Sequence, residues 1–520
     1  MPLNHRLLLI TAIYFLSFPL AAQNYNGNSL YSRPGLGEIL PFGNIRNIGM
    51  GGMGLSTSNV EFINNINPAL LHSNLYLNTI RKRDSSSYIP LRPSIFDGAM
   101  IGVLQNSATS SVSQTNLSST FSYFSYAVPL PFTGRLKDRW TINAGLQQFT
   151  KVSYKTSFTE AISGGAPGDS ANLAYSGSGG LYQAYLGNGI DITKNISVGL
   201  QLSYIFGNRK DESNTQIIIP PSQQSQLVYS QKTNHNAIQI KPGVAYRTHI
   251  FTTKATKRIK DSTVAIADFD NAIWAKRRVE YGDLILKKRH KDIQVIKDSI
   301  PIKETVVVIK RKKRVKENDE PVYFNIGLVY DYFAAVHGKQ TTSFEKRDSL
   351  NRVLDSSPLA TSYLKVTIPS VYRAGISFDK PDNWVIGTDF SYSPWSAYSG
   401  FDSSTTFTNS YSIALGGEKT IVPRYNNNKK FQPSNRLFRA GVNYTKMPFT
   451  VDNRQVKDIS VSLGSSVGLG SKKNSNAKLN FALVGGHRGT TANGSIRELY
   501  LKVYLGIVVR DFWFRKSQVD

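Results

Sequence analysis

The stretch Ile196-Ser197-Val198-Gly199-Leu200-Gln201-Leu202-Ser203-Tyr204-Ile205-Phe206 decides how the rest of the chain is read. Ile196, Val198, Leu200, Leu202, Tyr204 and Phe206 are apolar, and Ser197, Gly199, Gln201 and Ser203 between them are small or polar. A period of two belongs to a β-strand whose two faces differ. The pattern returns near the end, where Leu499, Leu501, Val503, Leu505, Ile507 and Val509 alternate with Tyr500, Lys502, Tyr504, Gly506 and Arg510. It also returns in Phe324, Ile326, Leu328 and Tyr330, and in Val461, Leu463 and Val467. A soluble sandwich alternates as well. Here the strands are long, and the positions between the apolar residues carry Gly, Ser, Asn, Asp and Arg rather than exposed Lys and Glu. That is the composition of a polar lumen behind a lipid-facing wall.

Outward from that stretch, fourteen segments are expected as strands, at about 94–107, 116–129, 139–156, 172–190, 195–206, 226–252, 321–339, 361–380, 383–397, 408–421, 434–448, 457–470, 477–487 and 496–514. An even count brings both termini to the periplasmic side. The connections at 130–138, 191–194, 381–382 and 471–476 are then short periplasmic turns, and those at 157–171, 207–225, 340–360 and 449–456 are longer outer loops. Trp384 and Trp395 bracket one strand. At about 3.3 Å per residue and a tilt of about 45°, their separation projects to roughly 26 Å, near the ~25 Å apolar band between aromatic girdles. Trp140 opens another strand and Trp513 closes the last. The predicted fold is an all-β transmembrane antiparallel barrel.

Composition narrows the compartment. His5 and Arg6, the apolar run 7–20 and Ala21-Ala22-Gln23 read as a signal peptide over 1–22. The 520 residues include no cysteine, which excludes disulfides, thiolate metal sites, a Cys nucleophile and a lipoprotein anchor. The net charge of +27, from 62 Lys and Arg against 35 Asp and Glu, ordinarily suggests nucleic acid. An exported chain does not meet nucleic acid, so outer-membrane lipid and lipopolysaccharide are the expected anionic surroundings. No apolar run after residue 22 is long enough for a spanning helix.

Two regions stand outside the alternation. The insertion 254–320 is rich in Lys and Arg, including Lys276-Arg277-Arg278, Lys287-Lys288-Arg289 and Lys310-Arg311-Lys312-Lys313-Arg314. Parity places it in the periplasm, as a solvated charged excursion or as a docking element for a protein partner, peptidoglycan or anionic headgroups. Its 264–279 part has helical spacing, and 293–309 alternates like a strand. The segment 23–93 precedes the barrel and holds Arg46-Asn47-Ile48-Gly49-Met50-Gly51-Gly52-Met53-Gly54 and Asn65-Ile66-Asn67-Pro68-Ala69-Leu70-Leu71. Gly49, Gly51 and Gly54 match a dinucleotide fingerprint in letters only, lacking the strand before and the helix after that the phosphate site needs. They are better read as places where a backbone packs against a barrel wall.

With those residues the chain resembles the FadL/TodX family of outer-membrane proteins. The resemblance rests on Gly49 to Gly54 followed by Asn67-Pro68-Ala69, on 179–187 leading into 193–199, and on Asp511-Phe512-Trp513-Phe514. It covers barrel and hatch and omits the insertion. It implies fourteen strands, an amino-terminal hatch, the outer membrane of a Gram-negative bacterium and passage of hydrophobic small molecules. Leu55, Phe62, Ile63, Ile66, Leu70 and Leu71 are apolar hatch candidates for contact with such a ligand or for plain packing. Asp331, Arg373, Asp389, Arg439 and Arg510 take inward parity and are candidates for charge pairing across the lumen. The alternative is a FadL-like barrel, PorV-like in role, acting as a scaffold or accessory subunit of a secretion or assembly complex; the insertion favours it. A lipid hydrolase using His487 lacks a nucleophile signature such as G-x-S-x-G. The histidines His72, His235, His249, His290, His337 and His487 form no i, i+4 pair, so neither metal nor cofactor is expected.

Overall fold

The computed structural model describes residues 29–59, 61–71, 93–130, 139–164, 169–219, 223–254, 263–266, 293–296, 307–311, 319–348, 350–357, 359–381, 383–400, 407–421, 436–451, 454–469, 477–492 and 495–511. The expected signal peptide, Trp513 and the basic runs at 276–278, 287–289 and 312–314 lie outside these. The alternating segments form strands β1 (Ser94–Ala108), β2 (Ser113–Pro129), β3 (Trp140–Ala161), β4 (Ser170–Asp191), β5 (Ile196–Ile219) and β6 (Gln223–Lys254). Then come β7 (Asp319–Phe333, resuming as Val336–Arg347) and β8 (Ala360–Val366, resuming as Val371–Lys380). The circuit ends with β9 (Trp384–Ser393), β10 (Ser410–Ile421), β11 (Arg436–Val451), β12 (Arg454–Leu469), β13 (Ala477–Gly489) and β14 (Arg497–Asp511). Each strand pairs antiparallel with the next, and β14 pairs with β1, from Ser94 opposite Asp511 to Ala108 opposite Arg497. The sheet is therefore a closed fourteen-stranded barrel.

Burial follows the period of two. On β5, Leu200, Leu202 and Tyr204 are exposed, while Ser197, Gln201 and Ser203 are buried in the lumen. The same outward apolar belt runs through Leu328, Ile376, Ile386, Leu415, Val442, Leu463 and Leu501. β8 is interrupted near Pro369, which has no N–H for the ladder.

Three expectations need correction. The long outer loops are largely strand: β5 and β6 are joined across 220–222, β11 and β12 across 452–453, and Val353–Ser356 pairs with Glu345–Arg347. Beyond the belt both faces meet polar surroundings, so alternation fades from the sequence although backbone pairing persists. Trp395 is no girdle residue. It lies in a 3-10 turn after β9 and is buried in a lumenal apolar cluster with Leu36, Phe149, Leu181, Ile205 and Phe333. Finally, the helical spacing read over 264–279 fails at its start, where Thr263–Ile266 forms a strand as its β-branched residues favour; 267–279 lie outside the described residues.

The chain divides into two compact units, 1–250 with 323–520, and Phe251–Val322. The second holds a three-stranded antiparallel sheet in which Val307–Arg311 lies between Thr263–Ile266 and Ile293–Ile296.

Candidate functional site: a hatch clamped in the lumen

Residues 29–71 fill the barrel as short, capped pieces. Glu38–Ile39 extends β3 by pairing with Lys151 and Thr150. The single-turn helix α1 (Ile45–Ile48) is capped by Asn44, whose side chain accepts from the Asn47 N–H. A 3-10 turn, Pro68–Leu70, is capped by Asn67, which accepts from the Ala69 N–H and donates to the carbonyls of Leu55 and Val244. The Asn67-Pro68-Ala69 motif thus ties hatch to hatch and hatch to wall. Leu55, Phe62, Ile63, Ile66 and Leu70 are buried, and Leu71 packs at the edge of one cluster.

Glycines set how close the two backbones come. Gly51 has φ +74°, and a Cβ there would lie 2.7 Å from the Val442 carbonyl oxygen. The wall reciprocates: a Cβ on Gly327 would lie 1.8 Å from the Leu55 carbonyl oxygen, and one on Gly441 would lie 2.2 Å from the Met50 carbonyl carbon. Gly49 approaches the Cα of Gly464 in the same manner, and Gly54 is crowded by Asn47 and Ile66; Gly52 turns with φ +91° and has open space beside it. Side chains on either surface would lift the hatch off its seat.

Charge then fixes it. Arg46 on α1 donates to Glu418 of β10, which also pairs with Arg439 of β11 at 2.6 Å. Glu61 pairs with Lys478 of β13 at 2.5 Å and with Arg510 of β14 at 3.3 Å. Glu38 pairs with Arg488 at 2.8 Å, and Arg488 also holds Asp458. Burial by itself would raise the Glu38 carboxyl, but Arg488 and Lys502 beside it bring it down to about 2. Asp389 accepts from the N–H groups of Gly54 and Leu55 at 2.6 and 2.8 Å. Asp331 pairs with Arg373 at 2.8 Å and faces Lys241. Of the five inward charges read from parity, Asp389, Arg439 and Arg510 meet the hatch or its partners, and Asp331 with Arg373 spans neighbouring wall strands.

Sequence reading missed Glu418, Lys478 and Arg488, whose inward parity was readable in the same manner. It also missed Glu38, Arg46 and Glu61, which sit in aperiodic hatch sequence and had no local signal. His235 is buried in the lumen and His487 faces outward. Between hatch and wall lies a cavity of about 350 Å³ bordered by Glu38, Phe42, Lys241, Arg373, Asp389, Arg488 and Lys502.

An apolar exterior, a polar interior and a lumen filled by the chain's own amino-terminal segment define a plugged transmembrane β-barrel. The chain matches the BamG family over residues 5–314 and 325–520, and it belongs to that family. Among solved structures it is similar to the P. putida toluene transporter TodX, at 12% identity over 92% of this chain and 100% of that one, with a TM-score of 0.45. A Pseudomonas aeruginosa FadL homologue shares 11% identity over 91% of this chain and 99% of that one, with a TM-score of 0.46. The Ralstonia pickettii toluene transporter TbuX shares 12% over 90% and 98%, with a TM-score of 0.44. No curated protein matches the chain.

Proposed function

We propose that this protein is an outer-membrane barrel of a Gram-negative bacterium that serves as a non-transporting scaffold or accessory subunit of a secretion or assembly complex. The observation that carries the reading is the clamped hatch. Three charge clusters hold it, those around Glu418 and Arg488 buried and that around Glu61 partly so, and unseating the hatch means breaking them. Where one partner of such a pair is lost and the other stays buried, the cost is ~3–5 kcal/mol, so the seated hatch is the favoured state. The insertion adds support: the family match runs through it as far as residue 314, so it belongs to what the family shares rather than to a chance extension.

A hydrophobic-compound channel has two observations in its favour: an apolar pocket of about 500 Å³ at the wall, lined by Pro242, Val244, Leu328, Tyr372 and Phe390, and a smaller one beside Leu36, Phe149, Ile368, Trp395 and Phe407. The smaller one, at about 50 Å³, is far below the ~300 Å³ at which ligand sites begin; the larger is lined chiefly by exposed side chains of the lipid-facing belt, among them Val244, Leu328, Tyr372 and Phe390. The lumenal cavity of about 350 Å³ is bordered by charged side chains that an apolar ligand would strip of water.

The test has two arms. Purified barrel in liposomes is expected to pass no fatty acid or toluene above empty liposomes, and barrel affinity-purified from membranes is expected to bring protein partners, some lost on deleting 254–320. Saturable uptake of an apolar solute, with no partner recovered at low salt, would establish the channel instead.

A further inference from the structure

The wall continues above its lipid-facing belt. On β7, outward apolar side chains run from Phe324 to Tyr332, and the next exposed residues are His337 and Lys339. The strand nevertheless stays paired as far as Arg347, with β6 on one side (His337 opposite Asn236, Arg347 opposite Gln226) and with Ala360–Val366 and Val353–Ser356 on the other. Phe344 lies about a dozen residues past Tyr332. At ~3.3 Å per residue and a ~45° tilt it stands roughly 28 Å above the belt, beyond the reach of acyl chains.

The rim of this ledge is the segment 353–366. Among the described residues no strand pairs with its far side; the nearest pairing is the single bridge of Thr367 with Ser399 at its foot. Along the rim Leu354, Leu359 and Tyr363 are exposed by 60%, 70% and 80%. Lys339, opposite Tyr363 in the register, and Lys365 are also exposed and have no ion-pair partner among the described residues. Arg347 and Arg352 differ, being held by Glu345 and Asp348. Folded proteins blunt an open strand edge with charge, proline or a cover, because its unpaired N–H and C=O groups accept another strand. Here Pro358 interrupts the rim's sequence, but Ala360–Val366 beyond it has no proline, and the rim's large apolar side chains stand at its most exposed points.

Resting on the assembly reading above, we propose that the rim 353–366 docks an extended segment of a cell-surface partner protein, added as a further β-strand. The segment is apolar and acidic: its apolar side chains cover Leu354, Leu359 and Tyr363, and its carboxylates meet Lys339 and Lys365. A lipid surface is the lesser fit, because the ledge stands above the acyl chains and a lipid offers nothing to a backbone edge.

The experiment places the photo-cross-linker p-benzoylphenylalanine at 361, 363 or 365 of the full chain in cells and maps adducts by mass spectrometry. Strand addition is expected to give one acidic peptide, whose cross-linked residue moves by two, always in the same direction, each time the probe moves by two. Leu359→Lys with Tyr363→Lys, both at exposed positions that leave the barrel intact, is expected to cut the adduct at 365 at least about tenfold, as loss of an aromatic anchor does. Adducts to lipopolysaccharide only, adducts scattered over unrelated proteins, or no adduct at all would each overturn the proposal. If the Lys variant keeps every partner of the wild-type barrel, the rim is wrong and the assembly reading stands. If the wild-type barrel has no protein partner, both fall.

Discussion

Glu418 is the point on which one third of the clamp converges, accepting from Arg46 and Asn59 of the hatch and pairing with Arg439 of the wall. Glu418→Gln keeps the volume and removes the anion, leaving two buried guanidiniums facing each other. The expected cost is ~3–5 kcal/mol. In detergent-solubilised protein, trypsin should then cut within the hatch at Arg46 a hundred-fold faster or more, while the barrel resists; equal cleavage rates would show that the cluster does not hold the hatch. Glu38 gives a second, pH-dependent handle. Its carboxyl lies below the ordinary value of 4.5, at about 2, so its ion pairs stabilise the hatch fully above pH ~4.5 and are lost as pH falls toward ~2. Hydrogen exchange at Ile39 and Leu40, corrected for intrinsic rate, should accelerate between those limits, and Glu38→Gln should flatten that response. The wall side of these contacts was readable, because parity alone sends Arg439 and Arg510 inward. The hatch side was not, since Glu38, Arg46 and Glu61 lie in sequence with no period to say which way a side chain points.

At the level of elements, the hatch and the strands were legible to different degrees. Strand positions came through because lipid imposes one chemistry on one face, and Leu200, Leu202 and Tyr204 record it. Strand ends did not: past Phe206, residues such as Asn208, Arg209, Lys210 and Asp211 resemble a loop, yet each has a register partner on β4 and β6. The hatch glycines marked close packing, and their counterparts Gly327 and Gly441 looked like ordinary lumen residues until the opposing backbone was in view. Deleting 29–71 should leave the wall closed, because no strand of the barrel circuit belongs to that segment. In planar bilayers the deleted chain is expected to show stable conductance and the full chain none. A silent deletion variant would mean that the ledge and lumenal apolar cluster, rather than the hatch, close the barrel.

For the whole molecule, the charge excess was legible as a sign and the insertion as a boundary, but the three-stranded sheet inside it was visible only as weak alternation at 293–309. The seam has a consequence in time. Ser94 pairs with Asp511, so the ring is sealed by contacts about four hundred residues apart, the slowest kind to form. The hatch leaves the ribosome before the barrel strands, yet Arg488 and Lys502, which receive Glu38, and Glu498, which receives Ser29, stand on the last two strands. Every partial sheet short of β13 and β14 therefore has an amino-terminal segment with those anchors missing. Occlusion of the lumen belongs to the end of folding: the part made earliest is the part locked last.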